Sequence, residues 1–407
     1  MYPVITYSSL VQKIDRLGVE SCANEILVFL SENKVPFPLG KYFISECDAL
    51  EKMERLRHDD GQFTKQVYRV RNDEVSFGFK CLPQFNGEYL LFIPNDTEYS
   101  QIDNLTCVFT DHSRLKSFRR VPWTVTKSPI DGWYQYGDYL LGSIQYCLER
   151  GQDINAYNLR EGLYHSNNCH FTECAHERLT FLKTVFTHLK ALLPDSSELR
   201  IFDLCAGWGD RLLVSIALDV EYLGIEPNQA SHSGFKEAIQ LFAPNNNNKF
   251  NVICDGCPDV VLPEYCKDGY YTLAFLSPPA FDSEFYSNDS TQSIIMFSNF
   301  DDWLLGFLIS TLELAWRKLE IGGFLVIQSL LSAKINTFIY YFLEGSYYMG
   351  AISIRTGSYR NKPLWIWRKT DYNKRRRLDS NALHMALGKD VLRRYLDKKL
   401  KEGHNIY

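Results

Sequence analysis

The chain has 407 residues, 45% of them apolar and 14% aromatic, enough to bury a sizeable core and to divide into about two units. No run approaches the ~18 uncharged apolar residues of a membrane helix, and the opening MYPVITYSSLVQKIDR lacks the basic-then-apolar layout of a secretion signal, so a membrane role is set aside and a cytoplasmic address is expected. The net charge of −5 hides an asymmetry: residues 368–401 carry twelve Lys or Arg against four Asp, which leaves the remainder strongly acidic.

In chain order, residues 1–130 read as a smaller N-terminal α+β domain. Helices are predicted over 20–33 and 46–58, the second capped by Ser45 with Asp48 three residues on. Val75, Phe77, Phe79 and Cys81 then alternate with polar or small residues, and Asn86-Gly87 precedes GEYLLFI, a strand, turn, strand pattern. The run SRLKSFRRVPW at 113–123 mixes Arg114, Lys116, Arg119 and Arg120 with Phe118 and Trp123; a solvated connector or a nucleic-acid-facing loop fits it. A helical linker is expected over 131–166. The polar patch 245–248 reads as a loop tip.

From about Leu199 short apolar runs alternate with helical stretches: LRIFDLC, RLLVSIAL, EYLGIE, SHSGFKEAIQLF, FNVIC, TLAFLS, DDWLLGFLISTLELAWRKL and GGFLVIQS. Fully apolar strands alternating with helices predict a parallel sheet covered on both faces. The close, GAISIRTGSYRNKPLWIWRK, has two extended segments with no helix between, so the sheet is expected to end in an antiparallel hairpin. Trp365 and Trp367 share one face of it and read as core.

In such a sheet the ligand sits beyond the carboxyl ends of the strands. The residues there are Asp203-Leu-Cys205-Ala206-Gly207-Trp208-Gly209-Asp210 after the first strand, Glu226 after the second and Cys254-Asp255 after the third. Gly207 and Gly209 permit a sharp turn and close backbone approach, and Glu226 falls close to the offset where a carboxylate takes ribose hydroxyls. Leu212 stands near where a dinucleotide fingerprint needs its third glycine, which argues against NAD. For each acid taken alone, a turn or helix cap is the alternative reading.

DLCAGWG followed by GIEPN resembles motifs I and II of the class I S-adenosylmethionine-dependent methyltransferases, and LSPPAFDSEFY at 276–286 resembles motif IV of the amino-group nucleic-acid methyltransferases. The narrower pattern SPPxFDxExY is similar to a group met in phages and large DNA viruses. The resemblance covers 167–369 and implies a Rossmann-like class I methyltransferase domain there, followed by a basic helical tail over 370–407. It implies S-adenosyl-L-methionine as cofactor: Asp203 and the loop Cys205, Ala206, Gly207, Trp208 and Gly209 at its methionine part, Glu226 at its ribose, Asp255 beside its adenine, and Phe171, at the place of motif X, walling it. The implied reaction is methylation of an exocyclic amine of a base in DNA or RNA. Ser277 Oγ and the Pro278 carbonyl would accept the two N–H bonds of the amine and aim its lone pair; Pro278 and Pro279 fix the backbone and bring no competing N–H.

The family's aromatic after the two prolines, which stacks on the target base, is Ala280 here, with Phe281 following. Stacking by Phe281, Phe285 or Tyr286, a substrate other than a base, and a catalytically silent nucleic-acid- or partner-binding module all remain open. A small-molecule or protein substrate is a further alternative. The expected partner is nucleic acid, DNA or RNA, through Arg114–Arg120 and the basic residues from Lys374 to Lys401, although an amphipathic helix with Leu392, Leu396 and Leu400 on its apolar stripe also explains the tail. No metal is assigned. His165, Cys169, His170, Cys174 and His176 crowd together without a C-x2-C pair, while Cys254 and Cys257 form one pair and lack a second. Eleven cysteines, an odd number, read as reduced thiols.

Overall fold

The computed structural model describes residues 2–59, 63–69, 88–92, 102–120, 128–135, 137–165, 173–329, 332–354, 364–371 and 380–403. The helices are α1 (Tyr7–Leu17), α2 (Val19–Glu32), α3 (Glu46–His58), α4 (Cys107–Arg114), α5 (Pro129–Gln135), α6 (Gly137–Glu149), α7 (Ala156–His165), α8 (Leu179–Lys190), α9 (Asp210–Ala217), α10 (His232–Phe242), α11 (Ser310–Lys318), α12 (Ser332–Phe342), α13 (Ser380–Leu387) and α14 (Lys389–Lys401). The strands are β1 (Phe63–Arg69), β2 (Glu88–Phe92), β3 (Phe118–Arg119), β4 (Arg200–Asp203), β5 (Glu221–Ile225), β6 (Phe250–Ile253), β7 (Tyr271–Leu276), β8 (Glu284–Phe285), β9 (Leu319–Ile327), β10 (Ser346–Ile354) and β11 (Leu364–Lys369).

Nine strands make one sheet in the order β1-β2-β10-β11-β9-β7-β4-β5-β6. β6, β5, β4, β7 and β9 run parallel, and β11 lies antiparallel to both β9 and β10. This is a Rossmann-like α/β sheet, as the resemblance implies, closed by the antiparallel hairpin that the helix-free segment predicts. Its strands are apolar on both sides because both faces are covered: Leu273 and Phe275 of β7 pack into one core, Ala274 and Leu276 into the other. The first core is coated by α3, α8, α9 and α10. The second lies under a helical stretch beginning at Phe300 and under α12, α13 and α14. Within that stretch Trp303–Ile309 is wound as a π-helix before α11 resumes normal pitch, a local irregularity that recurs near functional sites.

The capping box at α3 forms as its sequence predicts. Ser45 Oγ accepts from the Asp48 amide at 3.1 Å and Asp48 Oδ2 accepts from the Ser45 amide at 3.0 Å, satisfying two donors at the helix start.

One relationship differs from the sequence reading. β1 and β2 do not form a sheet of their own; β2 pairs parallel with β10 and extends the central sheet, because an edge strand offers unpaired backbone groups to any strand in reach. The expected strand over 75–81 lies outside the described residues. Ile144, Leu148, Leu159 and Leu163, from the expected helical linker, pack with Ala23, Ile26 and Leu30 in one helical cluster. In the C-terminal helical segment Leu383, Leu387, Val391, Leu392 and Tyr395 are buried in the core cluster that contains Phe338, and the Tyr395 ring meets Phe338 and Phe342. Leu400, at the end of the expected stripe, stays 46% exposed. Among the described residues no helix is long and apolar enough to cross a membrane.

Candidate functional site

β4 and β7 are neighbours within the five parallel strands; the chain goes from β4 to β5 and β6 on one side and returns to β7 and β9 on the other. That reversal opens a crevice at the carboxyl ends. A cavity opens in the crevice, with about 760 Å³ of empty space once its open mouth is included.

One wall is the turn after β4, with Leu204, Cys205, Gly207 and Trp208 facing the cavity. The sheet ladders continue past the strand ends and hold this turn: the Leu204 amide donates to Phe275 O at 3.1 Å and the Ala206 amide to Ile225 O at 2.9 Å. Gly207 (φ 59°) and Gly209 (φ 90°) sit in the left-handed region that other residues rarely adopt. A β-carbon at Gly207 would meet nothing nearer than 3.8 Å, so the glycine serves the backbone turn and leaves its face open to a ligand. Glu226 closes the second strand end. Its Oε2 accepts from the Gly207 amide at 2.8 Å and its Oε1 from the Asn228 amide at 2.9 Å, tying the two strand ends together. Burial pushes the Glu226 carboxyl up to about 7, against the pull of those two amides.

Asp203 is fully buried and does not line the cavity. Its Oδ2 accepts from Arg211 Nε at 2.7 Å and from the Tyr222 hydroxyl at 2.7 Å. Arg211 also donates to the Cys205 carbonyl and pairs with Glu177 at 2.9 Å. Burial alone would lower the Arg211 guanidinium, yet Asp203 and Glu177 beside it hold it well above its ordinary value. The acid at the head of the glycine turn therefore anchors the turn from beneath. Asp255 likewise turns aside: Oδ1 accepts from the Gly256 amide at 2.8 Å, and Gly256 and Cys257 take the place on the cavity wall. Ala206 is buried, and Phe171 lies outside the described residues.

The opposite wall comes from the end of β7. Ser277 and Pro279 face the cavity, with Pro278 half-buried between them. Ser277 Oγ donates to Gln328 Oε1 at 3.4 Å, just past the end of β9. Phe281 turns away from the cavity; its ring sits 5.8 Å from Phe300 and 5.7 Å from Trp303, joining the core under the π-helix. Tyr286 does line the cavity, 5.6 Å from the Trp208 ring. Glu284 fixes this segment. It accepts from the Ala280 amide at 3.3 Å and from the Tyr286 hydroxyl at 2.5 Å, and pairs with Arg119 at 3.2 Å.

Sequence reasoning missed two parts of the site. The first is α4, whose polar residues brace both ligand-facing turns. Thr106 Oγ1, just before the helix, donates to Asp210 at 2.6 Å, Thr110 Oγ1 to Trp208 O at 3.0 Å, and Ser113 and Ser231 hydroxyls meet at 2.8 Å. β3, soon after α4, pairs with β8, and the Phe118 and Phe285 rings stack at 5.1 Å. The second is the segment 287–293, which folds back over the third strand end and contributes Thr291, Gln292 and Ser293 to the cavity. The second has no apolar period to announce it, and the apolar spacing of Ile102, Leu105 and Phe109 at the first does not announce its polar contacts.

Of the basic residues singled out, Arg114 is buried and paired with Asp111 at 2.8 Å and Glu173 at 3.0 Å, so it leaves the surface. Lys116 and Arg120 are exposed, and the Arg120 amide donates to Ser283 O at 2.7 Å beside the Ser-Pro-Pro turn. On α14, Arg394 pairs with Asp302 and Lys399 with Glu313, while Arg393 remains 71% exposed. Residues 374–377 lie outside the described residues. Among the described residues no group of three or more His, Cys, Asp or Glu could hold a metal ion; Cys169 and His170 lie outside them.

No family model matches the sequence, and no curated protein matches it. Solved structures align with about half of the chain. An rRNA methylase from Streptococcus thermophilus has TM-score 0.32 and 13% identity over 49% of this chain and 100% of that one. The METTL16 methyltransferase domain has TM-score 0.33 and 12% identity over 49% and 70%. P. horikoshii TYW2, in complex with MeSAdo, has TM-score 0.31 and 11% identity over 50% and 69%. At this level of similarity the fold assignment rests on the strand order of the chain itself.

Proposed function

We propose that the chain is an S-adenosyl-L-methionine-dependent methyltransferase acting on an exocyclic amino group of a base in DNA or RNA. The observation that carries the proposal is that Glu226 and Ser277, at the ends of the second and fourth parallel strands, face one continuous cavity. The residues present fit the donor. Gly207 leaves its face open for close approach, the Glu226 carboxylate keeps acceptor capacity for a ribose diol, and Leu204, Pro227 and Phe307 offer apolar surface to a ring. When bound, the donor supplies an electrophilic methyl group on a sulfonium.

The chain's own residues then orient the nucleophile. Ser277 gives its hydroxyl hydrogen to Gln328, which leaves the oxygen lone pairs for an incoming N–H. The Pro278 carbonyl is the second acceptor of the proposed pair. Two acceptors on one NH2 direct its lone pair away from the ring plane, and the prolines keep the turn from donating a competing N–H. Exposed Lys116 and Arg120, the second bonded through its amide to Ser283 beside the Ser-Pro-Pro turn, and Arg393 on α14 are the proposed phosphate contacts. The test is mass spectrometry of nucleosides after DNA and RNA are incubated with the chain and isotopically labelled donor; N-methylated cytosine or adenine is the expected product.

A second reading is a silent methyltransferase-fold module that binds nucleic acid or a partner. It is favoured by the motif's aromatic position being Ala280 while Phe281 faces the core. Donor binding without any label transferred is its signature.

A further inference from the structure

The segment after the Ser-Pro-Pro turn carries a buried amide that nothing in the methyl-transfer scheme uses. Gln292 is 4% exposed and lines the cavity, next to Thr291, whose carbonyl packs on Gly256 so closely that a β-carbon there would lie 2.2 Å from it. Its Nε2 donates to Ser287 Oγ at 3.1 Å. The neighbours fix which way round the amide sits. Asp289 Oδ2 accepts from the Gln229 amide at 3.3 Å, so that oxygen is an acceptor, and the Ser287 hydroxyl must give its single hydrogen to it across 2.5 Å. Ser287 Oγ also accepts from the Asp289 amide at 3.3 Å. A hydroxyl whose one hydrogen is committed can only accept from Gln292, so the amide nitrogen faces Ser287 and the carbonyl oxygen is the atom left over. That oxygen has no partner among the described residues.

We propose that Gln292 Oε1 is a specificity contact for an aromatic primary amine, and that its occupant is the 6-amino group of the donor's adenine. The inference rests on the donor reading above. A ligand that displaces water from this oxygen without bringing an N–H leaves the acceptor unpaired, so the cavity favours a ligand that brings an N–H to this point and disfavours one that brings an oxo group. Gln292 stands on the segment that covers the third strand end, the side of the cavity where Gly256 and Cys257 form the wall and where Asp255 is turned away. The same chemistry is carried by an adenine or cytosine of the nucleic-acid substrate, and the experiment separates the two sources.

The full-length chain is used in two arms. In the donor arm, calorimetry compares S-adenosyl-L-homocysteine with S-inosyl-L-homocysteine, in which an oxo group replaces the amine. Wild type is expected to bind the adenosyl compound at least about tenfold more tightly, and Gln292→Leu to bind the two alike. In the acceptor arm, with the adenosyl compound present, single-stranded oligonucleotides rich in adenine and cytosine are compared with ones carrying hypoxanthine and uracil. A preference in that arm alone, lost in Gln292→Leu, assigns the contact to the target base and keeps the amine specificity. Gln292→Met is measured alongside, so that a misfolded leucine variant does not decide the matter. Preferences unchanged by both substitutions in both arms overturn the proposal. A wild-type chain that binds neither homocysteine compound overturns the donor reading, and this inference with it, a failure visible before any variant is compared.

Discussion

Arg211 Nε lies 2.7 Å from Asp203 Oδ2, and both side chains are buried beneath the glycine turn that forms the cavity wall. A buried ion pair contributes little net stability, but removing one partner strands the other in a low dielectric. Asp203→Asn is therefore expected to destabilise the fold by about 3–5 kcal/mol, measured by urea denaturation at pH 7. The double substitution Asp203→Asn with Arg211→Met should recover part of that loss. A stable Asp203→Asn protein with weakened donor binding would show instead that the carboxylate touches the ligand.

Glu226 makes the cavity pH-sensitive. Its carboxyl is raised by burial to about 7 in the folded chain, while an unfolded Glu titrates near ~4.3. Between those values the folded state binds the proton more tightly, so the Glu226 contribution to stability is full below the unfolded value and is lost as pH rises through about 7. Glu226→Gln should flatten the wild-type decline over that window, read from thermal unfolding at a series of pH values. The same substitution should weaken binding of an adenosyl compound most at pH 8, where the wild-type carboxylate is ionised. A parallel pH profile for the two proteins would contradict this.

Gly256→Ala tests the cover over the third strand end. The new β-carbon would stand 2.2 Å from the Thr291 carbonyl, so the segment carrying Gln292 must move. Donor affinity should fall by about tenfold, or ~1.4 kcal/mol, by calorimetry, and unchanged affinity would mean that this segment does not close the site.

Ala280 and Phe281 should separate cleanly. Phe281 packs on Phe300 and Trp303, so Phe281→Ala is expected to cost about 3 kcal/mol of stability. Ala280→Tyr restores an aromatic to the motif. It should leave stability within about 0.5 kcal/mol and tighten single-stranded nucleic-acid binding by ~1–3 kcal/mol, measured by fluorescence anisotropy at fixed salt. No tightening would argue that the substrate does not stack there.

The parts of this molecule that follow from periodicity were legible in the sequence. Apolar runs ending in Asp203, Glu226 and Ser277 did mark the strand ends, and the helix-free spacing before PLWIW marked the hairpin β10–β11. Orientation and partnership were not legible. Nothing in the sequence around Asp203 says that Arg211, the second residue of α9, will turn back and occupy it. The segment DNLTCVFTDHSR carries an apolar pair, Leu105 and Phe109, but nothing in it says that Thr110 and Ser113 contact the two ligand-facing turns. An alternating strand reveals its two faces but not its neighbour, so the attachment of β2 to β10 could not be read from either segment.

The central claim is that Ser277 aims an amine at a donor held against Glu226 in one cavity. Its most direct test is transfer of an isotopically labelled methyl group from S-adenosyl-L-methionine to mixed DNA and RNA, followed by nucleoside mass spectrometry, for wild type and Ser277→Ala. The account predicts labelled N-methyl cytosine or adenine from wild type, and none from Ser277→Ala although that variant still binds the donor. Equal label from both proteins, or label found only on carbon or oxygen, would contradict it.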